Sequence, residues 1–311
     1  MIDMKILITG ASGFVGSHLV KELRKQGYDD IREFTGDIRN IEEIKKEIEG
    51  CDIVFNLAGV ISYWSEMDGL AYEVNVIGVK NIVEACLKFG IKRLVHISSD
   101  VTVGVEGGKS TDETFPYNLN KLKVNYCDTK HLGEEEIFKG IEKGLDAVIV
   151  CPASIYGAGD VRKIQTDMTF NFKFPIGFIY PENGIAVVDV DDVINGIIKI
   201  WQSGKRGERY LLVGENLSFF EIRKIIAEEI GLKPPFIKIP NWAFTLLAYI
   251  FLGFSKIINK KPKLTPEMAR LNRVNLFYSN KKAREELGLT FKPFKESIKN
   301  SVKWYKENGY L

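Results

Sequence analysis

A glycine-rich turn directly after the first apolar run is what most limits the fold of this 311-residue chain. Lys5 to Thr9 is a short β-leaning run. Thr9-Gly10-Ala11-Ser12-Gly13-Phe14-Val15-Gly16 then leads into apolar residues at helical spacing, Leu19, Val20 and Leu23. The glycines follow a G-x-x-G-x-x-G spacing. Gly10 suits a tight turn, Gly13 lets backbone approach a pyrophosphate, and Gly16 lets helix and strand pack closely. Free amides at a helix start, with the helix dipole, favour an anion. Three glycines alone carry little information. Their place between a strand and a helix gives them meaning.

The alternation continues. Ile31–Phe34 reads as a strand. Ile41–Glu49 reads as a helix with Ile41, Ile44 and Ile48 on one face. Ile53–Leu57 is a strand, and Ala71–Phe89 a long helix with Val74, Ile77, Ile82, Val83 and Ala85 inward. Arg93–Ser98 is a strand, Tyr126–Lys143 a helix and Ala147–Cys151 a strand. Continuous apolar strands alternating with amphipathic helices predict an α/β fold, a doubly wound parallel sheet covered on both faces. After about residue 160 the pattern changes. Phe170, Phe172 and Phe174 alternate, and Val187-Val188 suggests another strand. Asp191-Asp192 is placed to cap a helix from Val193 to Trp201. A strand at Tyr210–Val213 and a helix at Phe219–Ile230 follow. Helical segments broken at Pro234-Pro235, Pro240 and Pro262 complete a smaller, mostly helical second lobe.

Lys plus Arg is 43 and Asp plus Glu is 41, a net charge of +2, which gives no support to nucleic-acid binding by bulk charge. Cys51, Cys86, Cys127 and Cys151 form no C-x-x-C pair, so free thiols are expected. His18, His96 and His131 have no metal-ligand spacing, so no metal is expected. The N-terminus runs straight into a strand pattern without a signal-peptide layout, and a cytoplasmic protein is expected. Trp242–Phe254 is apolar apart from Thr245. Its run of about 13 residues is short of the ~20 that span a bilayer. A buried helix is expected there. The second reading is an interfacial helix touching a membrane surface through residues 242–258, and Lys256, Lys260, Lys261 and Lys263 fit either.

A tyrosine with a pKa near 10 exchanges protons poorly at neutral pH unless a cation stabilises its anion. Tyr-x-x-x-Lys puts both groups on one helix face. The chain holds three such pairs, Tyr117/Lys121, Tyr126/Lys130 and Tyr278/Lys282. Tyr117 follows Phe115-Pro116 in an Asn-rich stretch, and Tyr278 lies in the second lobe. Tyr126 opens the clearest helix and leads into Lys130-His131-Leu132-Gly133-Glu134.

The phosphate loop and Tyr126-x-x-Thr129-Lys130-x-x-Gly133-Glu134 resemble the short-chain dehydrogenase/reductase superfamily, in particular its extended branch, the NAD-dependent epimerase/dehydratase family. The resemblance covers nearly the whole chain and implies a Rossmann-type fold, NAD(P) as cofactor and a homodimer. It implies cofactor contacts from Gly10, Ser12, Gly13, Phe14, Val15 and Gly16, from Asp37 and Ile38, and from Leu57, Ala58 and Gly59. Further contacts are implied from Asn75, Ile97, Ser98, Tyr126, Lys130, Pro152, Ser154 and Ile155. Ser99, Tyr126 and Lys130 are implied as catalytic, with Ser98 the alternative bearer of the hydroxyl. Residues 1–163 would form the cofactor domain, rejoined by about 187–203. Residues 164–186 and 204–311 would form the substrate lobe.

Two departures stand out. Only ten positions separate Gly27 from Asp37, which compresses the second strand and its loop. At the ribose 2′ position, Thr35 is one candidate. Glu33 would favour NAD, whereas Arg32 or Arg39 would favour NADP, with a slight lean to NADP. Cys151 stands where the family's R-P-x-x-x-Y-G loop usually has Arg.

Within the branch, Ile61-Ser62-Tyr63-Trp64-Ser65, Gly207–Ser218, Lys263–Glu267 and Ala283-x-x-Glu286-Leu287-Gly288 look like the dihydroflavonol-4-reductase-like and 3β-hydroxysteroid-dehydrogenase-like group. That implies an oxidoreductase acting on a secondary alcohol or ketone. The aromatics Phe170, Phe172, Phe174, Trp242 and Phe244 favour a lipophilic small-molecule substrate. The alternatives are a nucleotide-sugar 4-epimerase and a non-catalytic dinucleotide-binding regulator. A sugar dehydratase would carry a second carboxylate after Asp100, where Val101 stands.

Overall fold

A computed structural model describes residues 4–160, 176–258 and 261–311. In chain order the elements are β1 (Ile6–Thr9), α1 (Phe14–Lys25), β2 (Ile31–Phe34), α2 (Ile41–Ile48), β3 (Ile53–Asn56), α3 (Asp68–Tyr72), α4 (Val79–Phe89), β4 (Arg93–Ile97), α5 (Asn125–Glu142) and β5 (Ala147–Pro152). They continue with β6 (Ser154–Tyr156), β7 (Ile179–Pro181), β8 (Gly184–Asp189), α6 (Val190–Ser203), β9 (Arg209–Leu212), β10 (Glu215–Ser218), α7 (Phe219–Glu229), β11 (Ile237–Ile239), α8 (Asn241–Ile258), α9 (Pro266–Leu271), α10 (Lys281–Leu287) and α11 (Phe294–Glu307).

The main sheet has the order β2-β1-β3-β4-β5-β9 and every pairing in it is parallel. β1 and β3–β5 are buried on both faces apart from Arg93, as their continuous Ile/Val/Leu runs require. β2 is the edge strand and only half buried, which is why its sequence signal is weak. After β5 the chain steps at Ala153 into a second sheet, β10-β8-β6. A separate apolar cluster there joins Val187, Ile222, Ile226, Phe294, Ile298 and Val302.

Three sequence expectations need correction. Ala71–Phe89 is not one regular helix. Glu73–Gly78 is a π-turn between α3 and α4. The wider turn resets the facing, so Asn75 is buried and Ile77 is turned outward at 38% exposure. The helix near Val193 starts at Val190, and Asp189 caps it by accepting the Asp191 amide at 2.9 Å. The third correction is the largest. The Trp242–Phe254 segment lies in α8, and α8 is not a buried core helix, since only Ala248 and Ser255 along it are buried. Phe170, Phe172 and Phe174 lie outside the described residues.

Candidate active site

The expected site residues gather at the C-terminal ends of β1, β3, β4 and β5, where open parallel sheets bind ligands. The phosphate loop is built by close approach. Gly10 sits at φ +67°, and a Cβ there would lie 2.9 Å from the Ala58 nitrogen. A Cβ on Gly16 would come within 2.2 Å of the Gly10 oxygen. The Gly13 amide donates to that same oxygen at 2.9 Å. α1 has no side-chain cap and no acid in its first turn. The amides of Phe14, Val15 and Gly16 are therefore presented to an anion. Ser12 is exposed beside them.

A polar row runs across the sheet beneath this loop. The Thr9 hydroxyl donates to Asn56 Oδ1 at 2.7 Å, and Asn56 Nδ2 meets His96 Nδ1 at 3.1 Å. The Ala58 amide donates to Thr9 Oγ1 at 3.1 Å, which seats Leu57-Ala58-Gly59 against Gly10. Asn75 then clamps the next residue. It accepts the Val60 amide at 2.8 Å and donates to the Val60 oxygen at 2.9 Å. Its amide nitrogen also lies 3.2 Å from Thr129 Oγ1 on α5. Asn75 thus spends its side chain on positioning the loop. Gly133 lets this happen, because a Cβ there would meet the Asn75 oxygen at 2.3 Å.

α5 buries an unusual stripe, with Tyr126, Lys130 and Glu134 one turn apart on the inward face. Buried Lys and Glu seldom occur without a partner. Lys130 Nζ donates to the Ile97 oxygen at 2.9 Å, at the end of β4. Burial lowers the Lys130 pKa to about 8. Tyr126 is hydrogen-bonded by Ser99, and the Tyr63 ring packs edge-on against it at 5.4 Å. Sequence reading expected Lys130 to depress the Tyr126 pKa. Burial is instead the dominant influence and raises it, with the Ser99 hydrogen bond opposing. Tyr126 is thus a protonated phenol, ready to donate.

The single hydroxyl hydrogen of Ser99 goes to Asp100 Oδ1 at 3.0 Å. Asp100 is 5% exposed, and burial pushes its carboxyl up to about 7 despite that bond. In the sequence Asp100 draws notice only through the apolar Val101 that follows it. Among the described residues, the buried Ser98 hydroxyl has no hydrogen-bond partner, and the same is true of His96 Nε2. Pro152 ends β5, Ser154 and Ile155 open β6, and the Ile97–Val150 register sets them beside the end of β4.

The other two Tyr–Lys pairs are structural. The Tyr117 hydroxyl donates to Asp128 at 2.6 Å and its ring stacks on His131. Tyr278 is 1% exposed and donates to the Val103 oxygen at 3.3 Å. A guanidinium does lie near Cys151, from the neighbouring strand β9. Arg209 Nη1 pairs with Glu134 Oε2 at 3.1 Å, and Cys151 Sγ and the Thr102 hydroxyl lie against the other oxygen of that carboxylate. No local signal marks Arg209, which lies 75 residues from its partner.

Asp37 is held by Arg39, whose hydrogen bonds lower its pKa. Arg39 also reaches Glu73 at 2.6 Å, so its guanidinium is committed to two carboxylates. Arg32 donates to the oxygens of Glu47 and Glu49 at the end of α2. Both cations that favoured NADP are therefore engaged elsewhere. Ile38 is buried, and Asn81 holds the oxygens of Ile38 and Arg39. A cavity of about 430 Å³ opens near Asn118, Asn183 and Asn275. These three amides are spent on Val105, Asn272 and Gly184, so its walls are structural.

The fold and this arrangement define an extended short-chain dehydrogenase/reductase. Residues 6–213 match the model of the NAD dependent epimerase/dehydratase family, and the chain belongs to that family. A putative dihydroflavonol 4-reductase of Synechocystis is 29% identical over 98% of this chain and 95% of its own length. The 3beta-hydroxysteroid-dehydrogenase/decarboxylase isoform 1 of Arabidopsis thaliana is 29% identical over 95% of this chain and 78% of its own. The crystal structure of gox2253 superposes with a TM-score of 0.85 at 26% identity, covering 99% of this chain and 100% of that one.

Proposed function

We propose that the protein interconverts a secondary alcohol and a ketone on a lipophilic small molecule, with NAD(H) as cofactor. The observation that carries this reading is the buried cluster of Ser99, Tyr126 and Lys130 beside the phosphate loop. The residues fit a dinucleotide. A cradle that Cβ atoms would fill faces the start of α1, and the Ser98 hydroxyl at the end of β4 has no partner among the described residues. Gly10–Gly16 would hold the pyrophosphate, Asp37 and Ile38 the adenine side, and Pro152–Ile155 the nicotinamide side. When bound, the cofactor supplies or accepts a hydride at the carbinol carbon.

The chain does the rest. Tyr126 gives its phenolic proton to the substrate oxygen during reduction and takes it back during oxidation. Ser99 holds the same oxygen by a second hydrogen bond and shares its developing charge. Lys130, anchored on Ile97 one helical turn from Tyr126 on the same buried face, holds the cofactor's ribose side of the site.

NAD is favoured over NADP because Arg32 and Arg39 are both occupied. Two supports for a lipophilic substrate change. Trp242 is 72% exposed, and Phe244 packs against the α8–α9 cluster, so neither is evidence for a pocket lining. The substrate class rests on the likeness to relatives named for a dihydroflavonol and a 3β-hydroxysteroid. A dehydratase reading lacks its second carboxylate, since Val101 is apolar and 4% exposed.

The test follows NADH consumption with a panel of cyclic ketones. Tyr126→Phe should lower turnover by roughly 10²–10⁴-fold while leaving NADH affinity unchanged. Tight NADH binding by the wild type with no turnover on any ketone or nucleotide sugar would point instead to a regulator.

A further inference from the structure

One face of α8 has no business in water. Trp242, Leu246, Tyr249, Ile250, Phe254, Ile257 and Ile258 are all between 46% and 81% exposed. They recur every three or four residues and form one continuous stripe along the helix. Phe236 and Ile237, just before the helix, add two more side chains at 70% and 46% exposure. A soluble monomer rarely leaves so large an apolar patch uncovered.

The surrounding charge says what covers it. Between Gly231 and Pro266 there are six lysines and not one Asp or Glu, in a chain whose net charge is only +2. Lys256 is exposed near the end of the helix, and Lys261 and Lys263 are exposed just beyond it. Lys238 pairs with Glu182 at 3.4 Å, a residue from outside the stretch. An apolar stripe with indole and phenol rings, beside lysines with no acid among them in the chain, is complementary to a bilayer with anionic headgroups.

We propose that α8 docks the enzyme in the plane of an anionic membrane surface. The helix is apolar and long enough to cross a bilayer. It does not cross, because its other face is committed to protein. Phe244, Leu247, Ala248 and Phe251 pack on Leu264, Met268 and Ala269 around α9. The stripe alone enters the acyl boundary, and the lysines meet the phosphates. The inference is independent of the substrate.

Vesicle flotation of the full chain tests it. Phosphatidylcholine vesicles with about one third phosphatidylglycerol should retain roughly tenfold more protein than phosphatidylcholine alone. Binding should fall in about 0.5 M sodium chloride, where screening shortens to a few ångströms. Leu246→Glu with Ile250→Glu should abolish flotation, and Lys256→Glu with Lys261→Glu and Lys263→Glu should remove the preference for anionic lipid. All these positions are exposed, so NADH affinity and melting temperature, measured alongside, should hold. Two results overturn the proposal. One is no flotation of the wild type on either vesicle. The other is a dimer in solution that Leu246→Glu splits, which assigns the stripe to a second copy.

Discussion

Ser99 has two suitors, and Asp100 decides between them. While the Asp100 carboxyl is charged, the Ser99 hydroxyl donates to it. Once Asp100 is protonated it can donate to Ser99, and the serine hydrogen is freed for the substrate oxygen of the proposed reaction. The titratable groups facing Asp100 are Tyr126 and Cys127 on α5, Tyr63 from the loop after β3, and Tyr278. None is a cation, and burial is the leading cause that brings the carboxyl to about 7. Ketone reduction should therefore weaken as pH rises through about 7, and Asp100→Asn should flatten that limb of the kcat/KM profile. An unchanged profile in the variant would remove Asp100 from the mechanism. Stability follows the same sign. A carboxyl whose folded pKa is raised keeps its proton longer than in the unfolded chain, so its penalty is absent at low pH and complete above about 7. At pH 8 the Asn variant should melt above the wild type.

At the scale of elements, the site depends on how closely α5 approaches the π-turn between α3 and α4. Gly133 is the point of contact, and a Cβ there would lie 2.3 Å from a backbone oxygen that has no freedom to yield. Gly133→Ala should cost about 1–3 kcal/mol in denaturant unfolding, as overpacking does. It should also weaken NADH binding, because the displaced Asn75 loosens its hold on Val60. Unfolding with wild-type stability would mean that the helix shifts freely. The G-E after the Tyr–Lys pair was legible in the sequence, but its reason was not. Only the packed helices show that Gly133 serves Asn75, and that Glu134 is neutralised by Arg209 from β9. The π-turn was equally hidden. Every residue from Ala71 to Phe89 is compatible with a regular helix, and the extra residue per turn is set by what Asn75 must reach.

For the whole molecule, cofactor choice is a property of the fold more than of any single side chain. The compressed Gly27–Asp37 segment left Glu33, Arg32, Thr35 and Arg39 as candidates in the sequence, with a slight lean to NADP. The sheet places β2 at its edge, with Arg32 turned to the end of α2, Glu33 paired to Arg24, and Arg39 locked between Asp37 and Glu73. NADH should accordingly bind tighter than NADPH in a fluorescence titration. Tighter NADPH binding would mean that one of these arginines leaves its partners for the phosphate.

What the sequence settled by itself is local and periodic. Glycines between a strand and a helix specify a tight loop, strand–helix alternation specifies a parallel sheet, and a Tyr–Lys interval of four puts two groups on one helix face. These follow from backbone geometry over a few residues. The tertiary structure decided the rest. It gave the physical reason for setting Tyr117 and Tyr278 aside, whose phenols are spent on Asp128 and Val103, where the sequence had chosen Tyr126 on helix pattern and resemblance. It shifted Asp100, because burial sets the energy of a charge and burial is made by distant chain. It turned the apolar stripe of α8 outward, because an apolar run is equally suited to a core and to a bilayer until its neighbours are known.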